Sequence, residues 1–156
     1  MIFVTVGTQL PFNRLLKAMN EWATQTNEPV IAQTNDTENH WAHLECYESL
    51  KEADFTHFIN EARIIVAHAG IGSIMSALKV KKPIIVMPRL AYLGEHRNEH
   101  QLSTTMALHK EGYIHAAYDE KMLKELLEAP LLPPLKSINS FTSPYLIENL
   151  IKAIEE

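Results

Sequence analysis

The chain has 156 residues, of which 46% are hydrophobic and 21% charged, and its formal net charge is −5. This length predicts a single globular domain that can bury a core of its own, and the acidic balance argues against nucleic-acid binding, which needs a positive surface. Cys46 is the only cysteine, so no disulfide can form within the chain, and no apolar run approaches the length of a membrane span. A cytoplasmic protein is therefore expected.

Strand and helix patterns alternate along the chain. Residues 2–6 are an apolar, β-branched run typical of a strand covered on both faces, and without a basic segment they are not expected to be a signal peptide. A helix with Asn13 as its cap follows. The same reasoning predicts further strands at 29–33, 64–67, 83–87 and 113–117, and further helices at 55–62, 73–80, 98–111 and 120–128. The intervening polar stretch at 35–53 gives no clear prediction.

This alternation predicts an α/β fold in which a parallel sheet has helices on both faces. A Pro-rich connector at 129–134 then precedes a last helix at about 144–155, which Ser143 would cap. The apolar stripe of this helix favours packing on its own domain over packing on a partner, and it consists of Leu146, Ile147, Leu150, Ile151 and Ile154. We therefore expect residues 1–156 to form one domain.

In open parallel sheets, ligands bind beyond the carboxyl ends of the strands. Three segments are expected there, at 7–9, 68–73 and 87–89. In the second, two glycines would let a ligand approach the backbone, and Ser73 would begin a helix whose free N–H groups bind a phosphate or diphosphate. A tight turn from a strand to a helix requires glycine as well, so this motif alone leaves both interpretations open.

Residues 95–101 are rich in polar groups that suit sugar hydroxyls and phosphate charge. Within them, His96, Glu99 and His100 match the H-x-x-E-H pattern of a class of zinc peptidases. That interpretation needs both histidines on one helix and a third ligand from elsewhere, whereas the segment follows a strand and a glycine-containing loop. We therefore predict no metal site and keep a zinc hydrolase as an alternative.

Four motifs in this order resemble the C-terminal domain of glycosyltransferase family 28: MIFVTVGT at 1–8, HAGIGS at 68–73, VMPR at 86–89 and EHRNEHQ at 95–101. The resemblance covers about residues 1–117. It is closest to the small donor-binding subunits of two-subunit transferases that make bacterial exopolysaccharide and capsule, as glucuronosyl- or galactosyltransferases. A eukaryotic relative is the catalytic subunit of the dolichol-linked N-acetylglucosaminyltransferase.

The resemblance implies a GT-B architecture, in which two Rossmann-like domains close over a cleft, and this chain is similar to the C-terminal half that binds the donor. It implies a UDP-sugar as donor, a hexose or hexuronic acid as the transferred group, and a lipid-linked acceptor in surface polysaccharide synthesis. The acceptor domain would be a separate, membrane-anchored subunit that holds this chain at the inner face of the membrane. No cofactor is implied.

By position, the resemblance implies roles for individual residues. Gly7 and Thr8 would lie near the phosphates of the donor. The diphosphate would be held by His68, Gly70, Gly72 and Ser73, and the transferred sugar would be surrounded by Arg89, Glu95, His96, Asn98, His100 and Gln101. Ser76 stands where the broader family often has a glutamate that binds the ribose hydroxyls, and this departure favours the exopolysaccharide branch.

The resemblance also implies a mechanism. Family 28 enzymes invert the configuration of the transferred sugar, so an acceptor hydroxyl displaces UDP in one step, which needs a general base and stabilisation of the leaving diphosphate. Arg89 and the helix that begins at Ser73 would supply the stabilisation, and His96 or His100 would be the base unless the partner supplies it. A non-catalytic module that only binds a nucleotide is a further alternative, although such a module does not need the polar cluster at 95–101.

Overall fold

The computed structural model describes residues 1–129, which contain one sheet of parallel strands in the order β3-β2-β1-β4-β5-β6. The strands are β1 (Ile2–Thr5), β2 (Val30–Gln33), β3 (Glu45–Tyr47), β4 (Ile64–His68), β5 (Ile84–Met87) and β6 (His115–Ala116). The helices are α1 (Asn13–Ala23), α2 (Glu52–Glu61), α3 (Ile71–Lys79), α4 (His100–Lys110) and α5 (Glu120–Glu128), with a 3-10 turn at Ala91–Leu93. The predicted connector beyond residue 129 and the predicted helix at 144–155 lie outside the described residues.

Helices cover both faces of the sheet, as the alternating pattern predicts. Along β1, Ile2 and Val4 belong to one apolar core with residues of α1 and α5, whereas Phe3 belongs to a second core with residues of α2, α3 and α4. Because both faces are covered, every residue of β1, β4 and β5 is buried, and nearly all of them are apolar. The two cores therefore hold the ends of these strands in place.

The observed starts of several helices differ from the predicted ones, among them those of α1 and α3. α1 begins at Asn13 itself, with Phe12 at the capping position and no side chain as a cap, so Asn13 does not have its predicted role. α3 begins at Ile71 and not at Ser73, because Gly70 has the extended backbone that precedes a first helical turn. The anion site predicted at the start of this helix consequently includes residues before Ser73.

Elsewhere the differences lie in the loops and at the edges of the sheet. α4 begins at His100 and not at Asn98, because the Asn98 side chain accepts a hydrogen bond from the His100 N–H at 3.0 Å and so ends the preceding loop. The edge strand Glu45–Tyr47 lies in the polar stretch that gave no prediction. Its residues are exposed and pair with β2 through backbone groups, so they carry no apolar signal.

The strand order reverses at β1, because β2 lies on one side of it and β4 on the other. Thr5 pairs with Ala67 in the parallel register, so Gly7 and Gly70 follow neighbouring strand ends. The loops after these strands diverge and open a crevice at the carboxyl edge of the sheet, where ligands bind in folds of this kind. Among the helices of residues 1–129, none is long and apolar enough to cross a bilayer.

Candidate functional site

A cavity of about 910 Å³ lies at the carboxyl edge of the sheet. It crosses the ends of β3, β2, β1, β4 and β5, a distance of about 19 Å at the usual spacing between strands. This volume lies in the range of small-molecule sites, and the length suits a ligand of several linked groups better than a single sugar. The predicted site residues that line the cavity are Gly7, Thr8, His68, Gly70, Gly72, Ser73, Ser76, Arg89, His96, Asn98, His100 and Gln101.

The first turn of α3 offers an anion site. The first hydrogen bond within this helix runs from the Ile74 N–H to the Gly70 carbonyl at 3.1 Å. The N–H groups of Ile71, Gly72 and Ser73 therefore have no partner within the helix, and no side chain caps them. All three residues line the cavity, and a Cβ atom on Gly72 would meet no other part of the protein within 4 Å. The positive end of the helix is thus open to an anion.

Gly7 and Gly70 make room for a side chain of the protein itself. A Cβ atom on Gly7 would lie 2.6 Å from Nε2 of His68, and one on Gly70 would lie 2.3 Å from its Cε1. The imidazole is therefore wedged between the two loops, and Gly7 also has a φ of +81°, which other residues rarely adopt. The sequence predicts that a ligand can approach the backbone closely at both Gly70 and Gly72. The His68 ring occupies this space at Gly70, so only Gly72 is accessible to a ligand.

Arg89 is buried at the inner wall of the cavity, with 3% of its surface exposed. Its Nη1 lies 2.8 Å from Nδ1 of His68, and its Nη2 donates to the carbonyls of Val6 and Leu10. Burial lowers the pKa of Arg89 to about 10. Burial and the charges of Arg89 and His96 lower the pKa of His68 to about 3. At neutral pH the arginine is therefore charged and His68 neutral, and the guanidinium is bonded to His68 and to the loop after β1 at the inner wall of the cavity.

Glu95 is not part of the cavity wall, although it was predicted to contact the sugar. Its carboxylate pairs with Arg14, with Nε at 2.9 Å from Oε2 and Nη2 at 3.0 Å from Oε1. Arg14 also donates to the carbonyl of Pro88 at 3.0 Å. A second acid, Glu99, accepts a hydrogen bond from the Ala91 N–H. Both acids therefore shape the loop between β5 and α4 that carries the polar cluster.

Five polar residues of that cluster line the cavity, namely His96, Arg97, Asn98, His100 and Gln101. The Asn98 carbonyl oxygen accepts from the His100 N–H, and the Gln101 carbonyl oxygen accepts from the Arg89 N–H, each at 3.0 Å. These bonds orient both amides and leave their N–H groups as donors. The two histidine rings are half-buried. The arrangement offers donors and ring nitrogens to a polar ligand.

Ser76 lines the same cavity one turn into α3. Its hydroxyl donates to the Gly72 carbonyl at 2.9 Å, so its hydrogen is used inside the helix. The Ser76 oxygen is left to accept a hydrogen bond from a ligand, whereas a carboxylate at this position could accept from two ribose hydroxyls at once.

Comparison with known protein families identifies the domain that carries this site. The family model of the glycosyltransferase family 28 C-terminal domain matches residues 1–144. The chain belongs to this family. The resemblance carried by four sequence motifs is thereby confirmed, and the match extends beyond residue 117.

Curated relatives of this family 28 domain are named as subunits of a UDP-N-acetylglucosamine transferase. The human UDP-N-acetylglucosamine transferase subunit ALG13 is 28% identical over 134 residues, which are 72% of this chain and 10% of that protein. The subunit of the same name from Debaryomyces hansenii is 37% identical over 46 residues, 30% of this chain and 22% of that one. The subunit from Cryptococcus neoformans is 31% identical over 71 residues, 44% of this chain and 34% of that one. The chain thus spans between a tenth and about a third of these relatives.

Two solved structures share the fold. The NMR solution structure of ALG13 superposes with a TM-score of 0.65 at 18% identity, over 99% of this chain and 96% of that one. The crystal structure of the glycotransferase of kitacinnamycin superposes with a TM-score of 0.61 at 14% identity, over 98% of this chain and 38% of that one. The predicted fold is confirmed, since the family 28 domain has a Rossmann-like parallel sheet that matches the C-terminal half of GT-B glycosyltransferases.

The zinc-peptidase pattern is not assembled in the family 28 domain. His96 lies in the loop before α4, whereas His100 is the first residue of that helix, so the two do not share a helical face. The Glu99 carboxylate accepts a hydrogen bond from the Ala91 N–H. Across residues 1–129, no three His, Cys, Asp or Glu side chains are grouped so that they could hold a metal ion. Within residues 1–129, the zinc-hydrolase alternative therefore has no geometric basis.

The family 28 domain also places residues at the site that sequence reasoning missed, above all Gln33. This side chain ends β2 and is buried; its Oε1 accepts from the Thr5 hydroxyl at 2.8 Å, and its Nε2 donates to the carbonyls of Gly7 and Glu48 at 2.9 and 3.0 Å. Gln33 thus joins the ends of three strands at the cavity wall. A long amide that closes an otherwise apolar strand was the signal that could have identified it.

Other missed residues come from segments without periodicity or from helix interiors. These lining residues are Ser49, Leu50, Glu52, Phe55 and Thr104, whereas Gln9 and Arg97 lie in segments that were expected at the site. The loop after β3 contributes two of them, Ser49 and Leu50, and the strand before it was itself missed because it is polar. The fold brings them to the cavity only because β3 pairs in parallel with β2.

Proposed function

We propose that this domain binds a UDP-sugar and is the donor half of an inverting glycosyltransferase that acts on a lipid-linked acceptor. One observation carries the proposal: the open first turn of α3 at Gly72 faces a cavity long enough for a nucleoside diphosphate joined to a sugar. Free N–H groups at a helix N-terminus stabilise the negative charge that develops on a leaving diphosphate.

The proposed ligand lies across the sheet edge with its diphosphate at α3. The loop after β1, with Thr8, borders the same part of the cavity. At the α4 end, His96, Asn98 and Gln101 offer hydrogen bonds to sugar hydroxyls. At the β3 end, the apolar side chains of Leu50 and Phe55 suit a flat base. The ribose would then lie near the Ser76 oxygen.

The identity of the transferred sugar has two candidates, each with its own support. The names of the relatives support N-acetylglucosamine. The motifs favour a hexose or hexuronic acid for a surface polysaccharide, with Ser76 in place of the family's glutamate as the reason. A panel of donors separates the two candidates.

We further propose a membrane-anchored partner that binds the acceptor, because the relatives are named as subunits of a transferase. The chain would then work at the cytoplasmic, inner face of the membrane. The general base would be His96 or His100, whose rings line the cavity beside the proposed sugar position, or a group of the partner.

The binding part of the proposal is tested by titration calorimetry of the full chain with UDP, UDP-N-acetylglucosamine, UDP-glucose, UDP-galactose and UDP-glucuronic acid. We expect UDP and at least one UDP-sugar to bind. Gly72→Val should weaken binding at least about tenfold, because its side chain fills the open position at the helix N-terminus. Lys79→Val, at the exposed far end of the same helix, is the matched control and should bind like wild type. Binding of none of these ligands, with the partner present, contradicts the proposal.

The transfer part is tested by incubating the chain with membranes of the organism that encodes it and with the labelled donor that binds. Label in the lipid extract supports a transferase, whereas binding without any transfer supports the non-catalytic alternative. If the base lies on this chain, His96→Gln or His100→Gln should lower kcat about a hundredfold or more while donor affinity changes little. If both variants keep their kcat, the base belongs to the partner.

A further inference from the structure

Arg89 is held in one orientation by the loop after β1. Its Nη2 donates to the Val6 carbonyl at 2.8 Å and to the Leu10 carbonyl, and its guanidinium carbon lies 5.0 Å from the centre of the Phe12 ring. Within residues 1–129, Arg89 forms no ion pair with a carboxylate. A buried cation without such a partner is costly and is rarely kept for packing alone.

The contact between Arg89 and His68 determines which nitrogen of the imidazole carries the proton. Nη1 of Arg89 lies 2.8 Å from Nδ1 of His68. A guanidinium has five N–H donors and no acceptor, so Nδ1 must accept the hydrogen bond and cannot carry a proton. Because burial and the Arg89 charge keep His68 neutral by lowering its pKa to about 3, its one remaining proton is on Nε2.

The Nε2 atom lies at the border of the cavity, between the loops that follow β1 and β4. A Cβ atom would lie 2.6 Å from Nε2 if placed on Gly7 and 2.4 Å if placed on Gly70. Across residues 1–129, no group accepts a hydrogen bond from this Nε2. The open N–H groups of α3 begin at Ile71, the residue after Gly70, and they line the same cavity as His68.

We propose that Arg89 is a positioning residue that fixes His68 in the tautomer with the proton on Nε2, so that this N–H and the first turn of α3 donate to the same anion. The inference rests on the proposed function for the identity of that anion, the diphosphate of the donor. Without Arg89, His68 would exchange between tautomers and would present a lone pair to the phosphate oxygens for part of the time. The positive charge of Arg89 behind the ring adds to the attraction.

The tautomer is measured directly by NMR on the full chain labelled with ¹⁵N, through the two ring nitrogens of His68. We expect Nε2 to have the shift of a protonated nitrogen and Nδ1 that of an unprotonated acceptor, with and without UDP. A proton on Nδ1 in the wild-type chain overturns the proposal, and this result needs no variant.

Variants of Arg89 separate positioning from packing. Arg89→Met removes the donor but keeps an unbranched side chain, so the fixed tautomer should be lost and UDP should bind about tenfold to a hundredfold more weakly. Arg89→Lys has donors and no acceptor, so it should restore the tautomer and most of the affinity. Fixed Nε2 protonation in a folded Arg89→Met, or a lost tautomer in Arg89→Lys, contradicts the role of Arg89. If Arg89→Met does not fold, the wild-type spectrum and Arg89→Lys decide the question.

Arg14→Met is the matched control, because Arg14 also packs against Phe12, at 5.5 Å, but contacts Glu95 and not His68. Its loss should leave the His68 tautomer unchanged. The proposed function and the role of Arg89 are contradicted by different results. A wild-type chain that binds no UDP contradicts the proposed function, whereas a proton on Nδ1 contradicts the role of Arg89 whether or not UDP binds.

Discussion

Two adjacent regions of the cavity wall use glycine for different purposes. The first, the His68 corner, consists of Gly7, His68, Gly70 and Arg89. The second, the α3 opening, consists of the N–H groups of Ile71, Gly72 and Ser73. In the corner, the absence of a side chain on glycine makes room for an imidazole of the protein. In the opening, it leaves backbone donors accessible from the cavity, so one short motif serves internal packing at Gly70 and keeps donors open at Gly72.

The largest effect is expected from Gly70→Ala, which tests the corner. Its Cβ would lie 2.3 Å from the His68 ring, which Arg89 holds from the other side, so the free energy of unfolding should fall by about 3 kcal/mol. Gly72→Ala in the α3 opening should change it by less than about 0.5 kcal/mol. Urea denaturation followed by circular dichroism measures both.

The cause of that loss can be isolated in a His68→Ala background, where Gly70→Ala has no ring to displace. There the destabilisation by Gly70→Ala should shrink to the level of Gly72→Ala. If Gly70→Ala is already as stable as Gly72→Ala in the wild-type background, the two glycines do not differ in the space that they leave for His68. The distinction between the corner and the opening is then contradicted.

A second effect is the pH dependence of stability that the corner creates. The pKa of His68 is about 3 in the folded chain but near its usual 6.5 in the unfolded one, so the unfolded chain binds the extra proton first. The contribution of His68 is therefore complete above pH 6.5 and is lost as pH falls towards 3, at up to about 1.4 kcal/mol per pH unit. His68→Asn, whose oxygen can still accept from Arg89, should lack this slope between pH 6.5 and 4.5.

The interval from pH 6.5 to 4.5 separates the effect of His68 titration on stability from that of Glu28, the acid with the most strongly lowered pKa. The hydrogen bond from Arg63 lowers the pKa of Glu28 to about 2, so Glu28 affects stability only below about pH 4.5. Urea midpoints at pH 6.5, 5.5 and 4.5 give the slope for the wild type and for His68→Asn. Equal slopes for the two chains would show that His68 is not held neutral.

A smaller effect is expected from Glu95→Gln, which loosens the loop beside the α3 opening, since Glu95 forms no hydrogen bond with the corner residues. The half-buried pair of Glu95 and Arg14 has two hydrogen bonds between charged groups, so the free energy of unfolding should fall by about 1–2 kcal/mol. Arg14→Gln added to Glu95→Gln should cost little more, because the pair is already broken. Additive losses in urea denaturation would show that the two side chains act separately.

The smallest effect belongs to the exposed face of α5, a helix that contributes no residue to the cavity lining. Lys121 and Glu125 form an ion pair at 3.9 Å with both side chains mostly exposed, so Lys121→Ala should change stability by less than about 0.5 kcal/mol. UDP affinity should remain that of the wild type. A larger change in either measurement would show that α5 contributes to the site. The cavity wall and the exposed surface would then not differ in the expected way.

Much of the fold was predictable because its signals are local. Apolar runs of four or five residues mark β1, β4 and β5, and helical spacing marks the helices that cover them. The strand Glu45–Tyr47 was missed because it is exposed and pairs through its backbone. The residues after it, Ser49 and Leu50, were missed with it, since only that pairing brings them to the cavity.

By itself, the sequence determined the α/β alternation, the strand-end segments and the family, because periodicity and short motifs are properties of neighbouring residues. Only the tertiary structure decided what the charged side chains contact. Arg89 contacts His68, which is 21 positions away in the sequence, and Glu95 contacts Arg14, which is 81 positions away. No local pattern encodes such pairs, since they depend on which strand ends and helices lie side by side. For this reason the sequence did not reveal that Arg89 contacts His68, or that Glu95 pairs with Arg14 outside the cavity lining.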